Sequence, residues 1–265
     1  MSQIAILGGG VMGEAVLAGL LRSGRAADTV LVGEKRAERA AELAERHGVR
    51  VVDNVEAAVA DTVVLVVKPQ DVPGVLDEIA PALRDGQLVV SLAAGVTTDA
   101  IEARVPSGVA VARVMPNTPA LLGEGMAAVS PGSTCSEGQL AVAEELMAVV
   151  GRVARVPEAQ QDAVTAVSGS GPAYVFLVAE AMIEAGVHLG LPRATAHELA
   201  VQTIVGAATM LRDGETHPTV LREQVTSPGG TTAAALGRLE HHGVRAAFLD
   251  ALAAARDRSR ELADD

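Results

Sequence analysis

IAILGGGVMGEAV, residues 4–16, joins a short apolar run to four glycines within six positions. Three consecutive glycines pack no side chains, so their use is to leave room. The spacing Gly8-x-Gly10-x-x-Gly13 follows a strand-like segment and opens a helix-like one. In that context the first glycine permits the tight turn, the second lets the backbone approach a pyrophosphate, and the third allows close helix–strand packing. The bare N–H groups and positive dipole end of the following helix, starting near Val11, would then face the anion. The competing reading is a glycine-rich turn with no ligand.

Working outward, the first ~150 residues alternate apolar runs with helical patterns, as in a doubly wound parallel sheet. Strands are expected at Gln3–Leu7, Thr29–Val32, Val49–Val52, Thr62–Val67, Leu88–Leu92 and Val109–Met115, with two more at Met126–Ser130 and Arg152–Val156. Their nearly continuous apolar character fits strands covered by helices on both faces. Helices are expected at Val11–Arg22, Ala37–His47, Val72–Leu83, Thr98–Val105 and Ser136–Val149, the last with Ser136 and Gln139 spaced as a capping box. Beyond Pro157 no strand pattern appears. Val175, Val178, Ala179, Met182 and Ile183 follow helical spacing, and Thr195–Leu211 is apolar almost all round. A helix apolar on every face must be covered on every face. About a hundred residues do not achieve that alone, which points to a second copy of the chain. The expected fold class is therefore α/β, with a Rossmann-type domain at 1–157 and an all-helical substrate and dimerisation domain at 158–265.

Composition narrows the classes. The chain has 265 residues, 49% of them hydrophobic, but Tyr174, Phe176 and Phe248 are its only aromatics, so the core is built from aliphatic side chains. A net charge of −12 disfavours nucleic acid and anionic membrane as partners. Cys135 is the single cysteine, which excludes an intramolecular disulfide; no base stands near it in sequence, and it reads as inert. Residues 1–7 show no basic leader pattern, and no run reaches the roughly 18 consecutive apolar residues of a membrane span. The expectation is a cytoplasmic protein without a metal site.

Candidate contacts lie where strands end. Glu34, after the second strand, is placed to bond a ribose 2′-hydroxyl of NAD, whereas Lys35 and Arg36 could hold the 2′-phosphate of NADP. All three could equally be solvated charges. Val67-Lys68-Pro69 ends the fourth strand, and Lys35 and Lys68 are the only two lysines among 21 basic residues. Ala93-Ala94-Gly95 and the Met115-Pro116-Asn117-Thr118-Pro119 turn end the next two strands. Asn117 would bond a carboxamide or cap its own turn. Val11, Met12 and Asn54 complete the expected nucleotide contacts. In the second half, Ser168–Tyr174 and Ser227–Thr232 are glycine-rich and precede helices, so each offers N–H groups and hydroxyls to an anion or is a capped helix–helix turn.

Taken together, Gly8–Gly13, Val67-Lys68-Pro69, Ala93–Thr97, Met115–Ala120, Ser168–Tyr174 and Ser227–Thr232 resemble the pyrroline-5-carboxylate reductase family, in order and over essentially the whole chain. The resemblance implies hydride transfer from NADPH or NADH to the C=N carbon of 1-pyrroline-5-carboxylate, giving L-proline. It implies a homodimer, with larger rings of dimers. It carries substrate contacts onto Gly230, Thr231 and Thr232, with Thr232 bonding near the ring nitrogen as the catalytic contact, and onto Glu158, Glu215 and Gln224. Glu34 departs from the family pattern, which usually has a small hydroxyl residue there for the 2′-phosphate. The Lys35-Arg36 pair favours NADPH, because a phosphate brings its charge to two cations and one anion.

Two other readings are weighed. A 3-hydroxyacid dehydrogenase would need a proton-donating lysine in its second domain, and this chain has no lysine after Lys68. A protonated imine is already electrophilic, so an imine reductase needs orientation more than acid catalysis. A nucleotide sensor on the same scaffold is the non-enzymatic reading, since fold does not fix function.

Overall fold

A computed structural model describes residues 2–264 of the chain. Eight strands form one sheet: β1 (Ile4–Leu7), β2 (Val30–Gly33), β3 (Arg50–Val52), β4 (Thr62–Leu65), β5 (Leu88–Ser91), β6 (Ala110–Met115), β7 (Gly125–Pro131) and β8 (Gly151–Arg155). The helices are α1 (Val11–Arg22), α2 (Ala37–His47), α3 (Asn54–Ala57), α4 (Val72–Ile79), α5 (Thr98–Glu102), α6 (Glu137–Ala148), α7 (Gln161–Val164), α8 (Gly171–His188), α9 (Arg193–Asp213), α10 (Pro218–Gln224), α11 (Thr231–His241) and α12 (Val244–Asp264). The strand order is β3-β2-β1-β4-β5-β6-β7-β8, parallel except where β7 runs antiparallel to β6. The first six strands have the order of a dinucleotide-binding sheet, whose ligand crevice lies beyond the carboxyl ends of β1 and β4, where the order reverses.

The continuous apolar runs are explained by burial on both faces. All four residues of β1 are at most 3% exposed. Ile4 and Ile6 face a cluster with Val16, Leu17 and Leu20 of α1 and Leu140, Leu146 and Met147 of α6. Ala5 and Leu7 face the other side, with Val72, Leu76 and Ile79 of α4 and Ile101 of α5.

Several expected boundaries shift for local reasons. The expected helix Val72–Leu83 is α-helical only to Ile79 and tightens into a 3-10 turn at Ala80–Ala82, where Pro81 contributes no N–H. The expected Thr98–Val105 helix stops at Glu102, shortly before Pro106. The fourth strand ends at Leu65 rather than Val67, leaving Val66 and Val67 as irregular chain at the sheet edge. Helix α3 was not anticipated: Asp53 caps it, its carboxylate accepting the Glu56 N–H at 2.7 Å. The capping box of α6 forms, with the Gln139 N–H donating to Ser136 Oγ and the Ser136 N–H donating to Gln139 Oε1.

The chain divides into two compact units. The first runs through Ser170 and includes the residues from Ala255 onward; the second is Gly171–Ala254. Residues 158–170 belong with the sheet because Gln161 is fully buried there, its amide donating to Ser130 Oγ at 2.7 Å and to the Ala128 carbonyl at 3.3 Å. The second unit is wholly helical, and α8 and α9 are antiparallel neighbours joined by a left-handed Gly190. Within α8 to α11 only Ala196 and Ala200 are buried. Phe176 is 67% exposed and Leu249 is 74% exposed, and Leu177, Val205 and Met210 are also open. The single chain therefore leaves uncovered the faces that the all-round apolar pattern requires to be covered. The helical run Glu158–His188 is long and apolar enough, by length and composition, to cross a bilayer.

Candidate active site

The glycine turn sits at the carboxyl end of β1. Gly8 has φ +110°, and a Cβ there would stand 2.5 Å from the Val66 carbonyl oxygen, so both backbone conformation and space require glycine. At Gly13 a Cβ would run into the Gly8 carbonyl, which lets α1 start directly beneath the turn. Gly10 is different. Its φ is −68°, open to any residue, and an added Cβ would meet nothing within 4 Å. Neither strain nor packing asks for glycine at this position. What remains is a ligand that must come close to the backbone. Gly10 is also the N-cap of α1 with no side chain capping it, so the first N–H groups of the helix point outward.

A cleft of about 880 Å³ opens there, lined by Gly8, Gly10, Gly33, Glu34, Lys35, Arg36, Asn54, Val67 and Lys68 from the expected set and its immediate neighbours. Val66, Gln70, Asp71, Gly74 and Val75 complete the wall from the β4–α4 connection and the start of α4. These had carried no sequence signal, because their contribution depends on where α4 crosses the sheet edge. A second hollow of about 250 Å³ shares Val66, Val67 and Lys68 with the first and adds Met12, Leu92, Ala94, Met115 and Pro116. The two form a continuous surface along the ends of β1, β4, β5 and β6. Of the remaining expected residues, Val11 is exposed at the head of α1, Pro69 follows Lys68 at the start of a 3-10 turn, and Ala93 and Gly95 are buried in the loop after β5. Lys68 is exposed and pairs with no carboxylate among the described residues.

The charged end of the cleft is already neutralised. The Glu34 carboxylate accepts from the Gly9 N–H at 3.2 Å, the Arg36 N–H at 2.9 Å and the Arg36 guanidinium at 3.1 and 3.2 Å. Burial pushes the Glu34 carboxyl up, but the bonds from Arg36 outweigh it and hold it below the ordinary value of 4.5. The Lys35 ammonium lies 2.9 Å from Glu78, which also accepts from the Asn54 amide at 3.1 Å. These bonds hold the Glu78 carboxyl low as well. Behind the turn, Glu14 bonds His47, Arg39 and Arg46, which bring its carboxyl to about 2. Arg39 also donates to the Gly9 carbonyl at 2.8 Å, tying α2 to the turn.

Asn117 neither caps its own turn nor stands free. Its amide nitrogen donates to the carbonyl and hydroxyl of Ser168, and its oxygen accepts the Met126 N–H at 2.8 Å. Glu158 bonds the buried Arg113 guanidinium at 2.9 Å and the Thr98 N–H at 3.2 Å. Cys135 is half-buried, and burial, with Glu137 and Glu102 nearby, pushes its thiol up, away from nucleophilic chemistry.

In the second unit the chain turns at Gly229, with φ +66°, into Gly230, the N-cap of α11. No side chain caps this helix, so its first N–H groups are open, with the Thr231 and Thr232 hydroxyls in the first turn. A Cβ at Gly230 would collide with Ser227 Oγ. Glu215 and Gln224 are exposed, between α9 and α10 and at the end of α10 respectively.

Comparison with known proteins decides the family. A pyrroline-5-carboxylate reductase of Corynebacterium melassecola is 47% identical over 267 residues, covering 99% of each chain. The chain belongs to the pyrroline-5-carboxylate reductase family. Residues 158–262 match the family model described as pyrroline-5-carboxylate reductase dimerisation, and residues 3–95 match one described as NADP oxidoreductase, coenzyme F420-dependent. A solved pyrroline-5-carboxylate reductase from Coxiella burnetii superposes with a TM-score of 0.95 at 40% identity, covering 98% of each chain. A pyrroline carboxylate reductase of Plasmodium falciparum, solved with NADP bound, superposes at 0.86 with 29% identity, covering 99% of this chain and 98% of that one. The dimerisation match spans the exposed apolar helices α8 to α11, so the second copy expected from their pattern is a property of the family.

Proposed function

We propose that this family member reduces the C=N bond of 1-pyrroline-5-carboxylate with NADPH or NADH, giving L-proline, and that NADPH is preferred. The observation that carries the reading is Gly10: an uncapped helix start at the switch point with room that the protein itself does not use, in a chain that matches reductases end to end. That room fits a dinucleotide; the dimerisation match starts at residue 158, while the chain packs with the sheet as far as Ser170. When bound, the nicotinamide supplies the hydride. Gly8, Gly10, Val11, Met12 and Gly13 hold the pyrophosphate by backbone N–H groups. Glu34, Lys35, Arg36 and Asn54 surround the adenosine ribose. Val67, Lys68, Pro69 and Ala93-Ala94-Gly95 carry the nicotinamide half, with Asn117 bracing the adjoining turn.

The first N–H groups of α11 hold the substrate carboxylate, and the Thr232 hydroxyl bonds at the ring nitrogen, where a proton resides in the iminium and stays in the product amine. Gly230 and Thr231 keep the backbone close to the small ring. Glu158, Glu215 and Gln224 are carried as further substrate contacts on the family resemblance alone. The enzyme works in the cytoplasm as a homodimer, and dimers assemble into a larger ring. Its apolar helices are covered by the second copy rather than by a bilayer. The test is NADPH oxidation with 1-pyrroline-5-carboxylate and NADP reduction with a panel of 3-hydroxyacids. Turnover of the imine alone supports the reading. Turnover of a hydroxyacid alone overturns it in favour of the dehydrogenase, and nucleotide binding without turnover of either favours the sensor.

A further inference from the structure

We infer that Glu78, on α4 and outside the residues that line the cleft, is a positioning residue that sets the choice between NADPH and NADH by holding Lys35. The inference rests on the adenosine ribose lying among Glu34, Lys35, Arg36 and Asn54. Both cations at that end already have an anion: Arg36 is held by Glu34 and Lys35 by Glu78 at 2.9 Å. A 2′-phosphate must therefore enter two existing ion pairs and stand near two carboxylates, whereas a 2′-hydroxyl meets no such repulsion. The two pairs are not equivalent. Glu34 is 8% exposed in its side chain and also accepts the Gly9 N–H, so changing it disturbs the glycine turn. Glu78 makes no hydrogen bond to the turn among the described residues. The Lys35 side chain is 68% exposed, so its direction is fixed by little besides Glu78. Glu78 also accepts from Asn54, and so holds together two of the groups that surround the ribose.

Glu78→Gln separates charge from hydrogen bonding. Lys35 and Asn54 both bond Oε2 of Glu78, so a glutamine oxygen in that place accepts from both, but the charge that attracts Lys35 and repels a phosphate is gone. Calorimetric titration of the full chain with NADPH and NADH, repeated with adenosine 2′,5′-bisphosphate and 5′-AMP, reads the effect without turnover. Glu78→Gln should tighten NADPH and the bisphosphate by about three- to tenfold, with NADH and AMP within about twofold. Lys35→Ala should weaken NADPH selectively, and adding Glu78→Gln to it should restore much less than it gains in the parent. An unchanged melting temperature without nucleotide excludes a folding effect. Equal shifts for both nucleotides, or none for NADPH, overturn the inference while leaving the functional reading intact. A parent chain that binds neither nucleotide overturns that reading and the inference with it.

Discussion

At Gly10 a valine would cost the protein little and be ruinous to the ligand. The backbone there is ordinary and the space beyond it open, so Gly10→Val should leave the melting temperature nearly unchanged while nucleotide binding falls by at least about a hundredfold, the order expected for losing two or more charge-assisted contacts to the pyrophosphate. Normal binding by the variant, measured by enhancement of nucleotide fluorescence, would remove the pyrophosphate from this turn. At the same scale the sequence was most legible where one residue type has one use. Gly8, Gly10 and Gly13 could be read from spacing alone, because the geometry they serve is local. The charges after β2 could not. Glu34, Lys35 and Arg36 left three readings open, and a contact that bears on them, the pairing of Lys35 with a residue 43 positions away, is invisible in the local sequence. Asn117 illustrates the same limit: its partners, Met126 and Ser168, are set by tertiary contacts that a turn motif does not encode.

Among the elements, the strands were legible because burial on both faces leaves continuous apolar runs, and the helices because caps and periodicity agree. Helix ends were less so: Pro81 and Pro106 shortened two of them, and α3 is too short for its period to show. The element proposed to carry the substrate is α11. An uncapped glycine start with hydroxyls in the first turn is a place for an anion, and the family resemblance assigns it the substrate carboxylate. Thr232→Ala keeps that helix start and removes only the hydroxyl. It should leave the nucleotide constants alone and lower kcat/KM for 1-pyrroline-5-carboxylate by about tenfold to a few hundredfold, equivalent to roughly 1.5–3 kcal/mol. Wild-type turnover by this variant would reduce Thr232 to a residue of the helix start with no part in the reaction.

For the whole molecule, the decisive feature is how little of the second unit is covered. Its helices bury two alanines between α8 and α11 while phenylalanine, leucine, valine and methionine side chains stand open. Burial of roughly 2,000 Å² or more in an obligate dimer would cover them, so sedimentation over a wide dilution range should show a dimer or a multiple of it, and dissociation should coincide with unfolding. A folded, active monomer on dilution would contradict this. The partner was foreseeable from the sequence because an all-round apolar helix has no stable place on a lone surface; the size of any larger ring was not, because it depends on contacts between dimers. The central claim, that the two halves of this chain serve hydride transfer to an imine, is tested most directly with NADPH carrying deuterium at the transferred position. After reaction with 1-pyrroline-5-carboxylate, the account predicts L-proline with one deuterium at C5 and NADP in equal amount. Proline without deuterium, or oxidised nucleotide without proline, would contradict it.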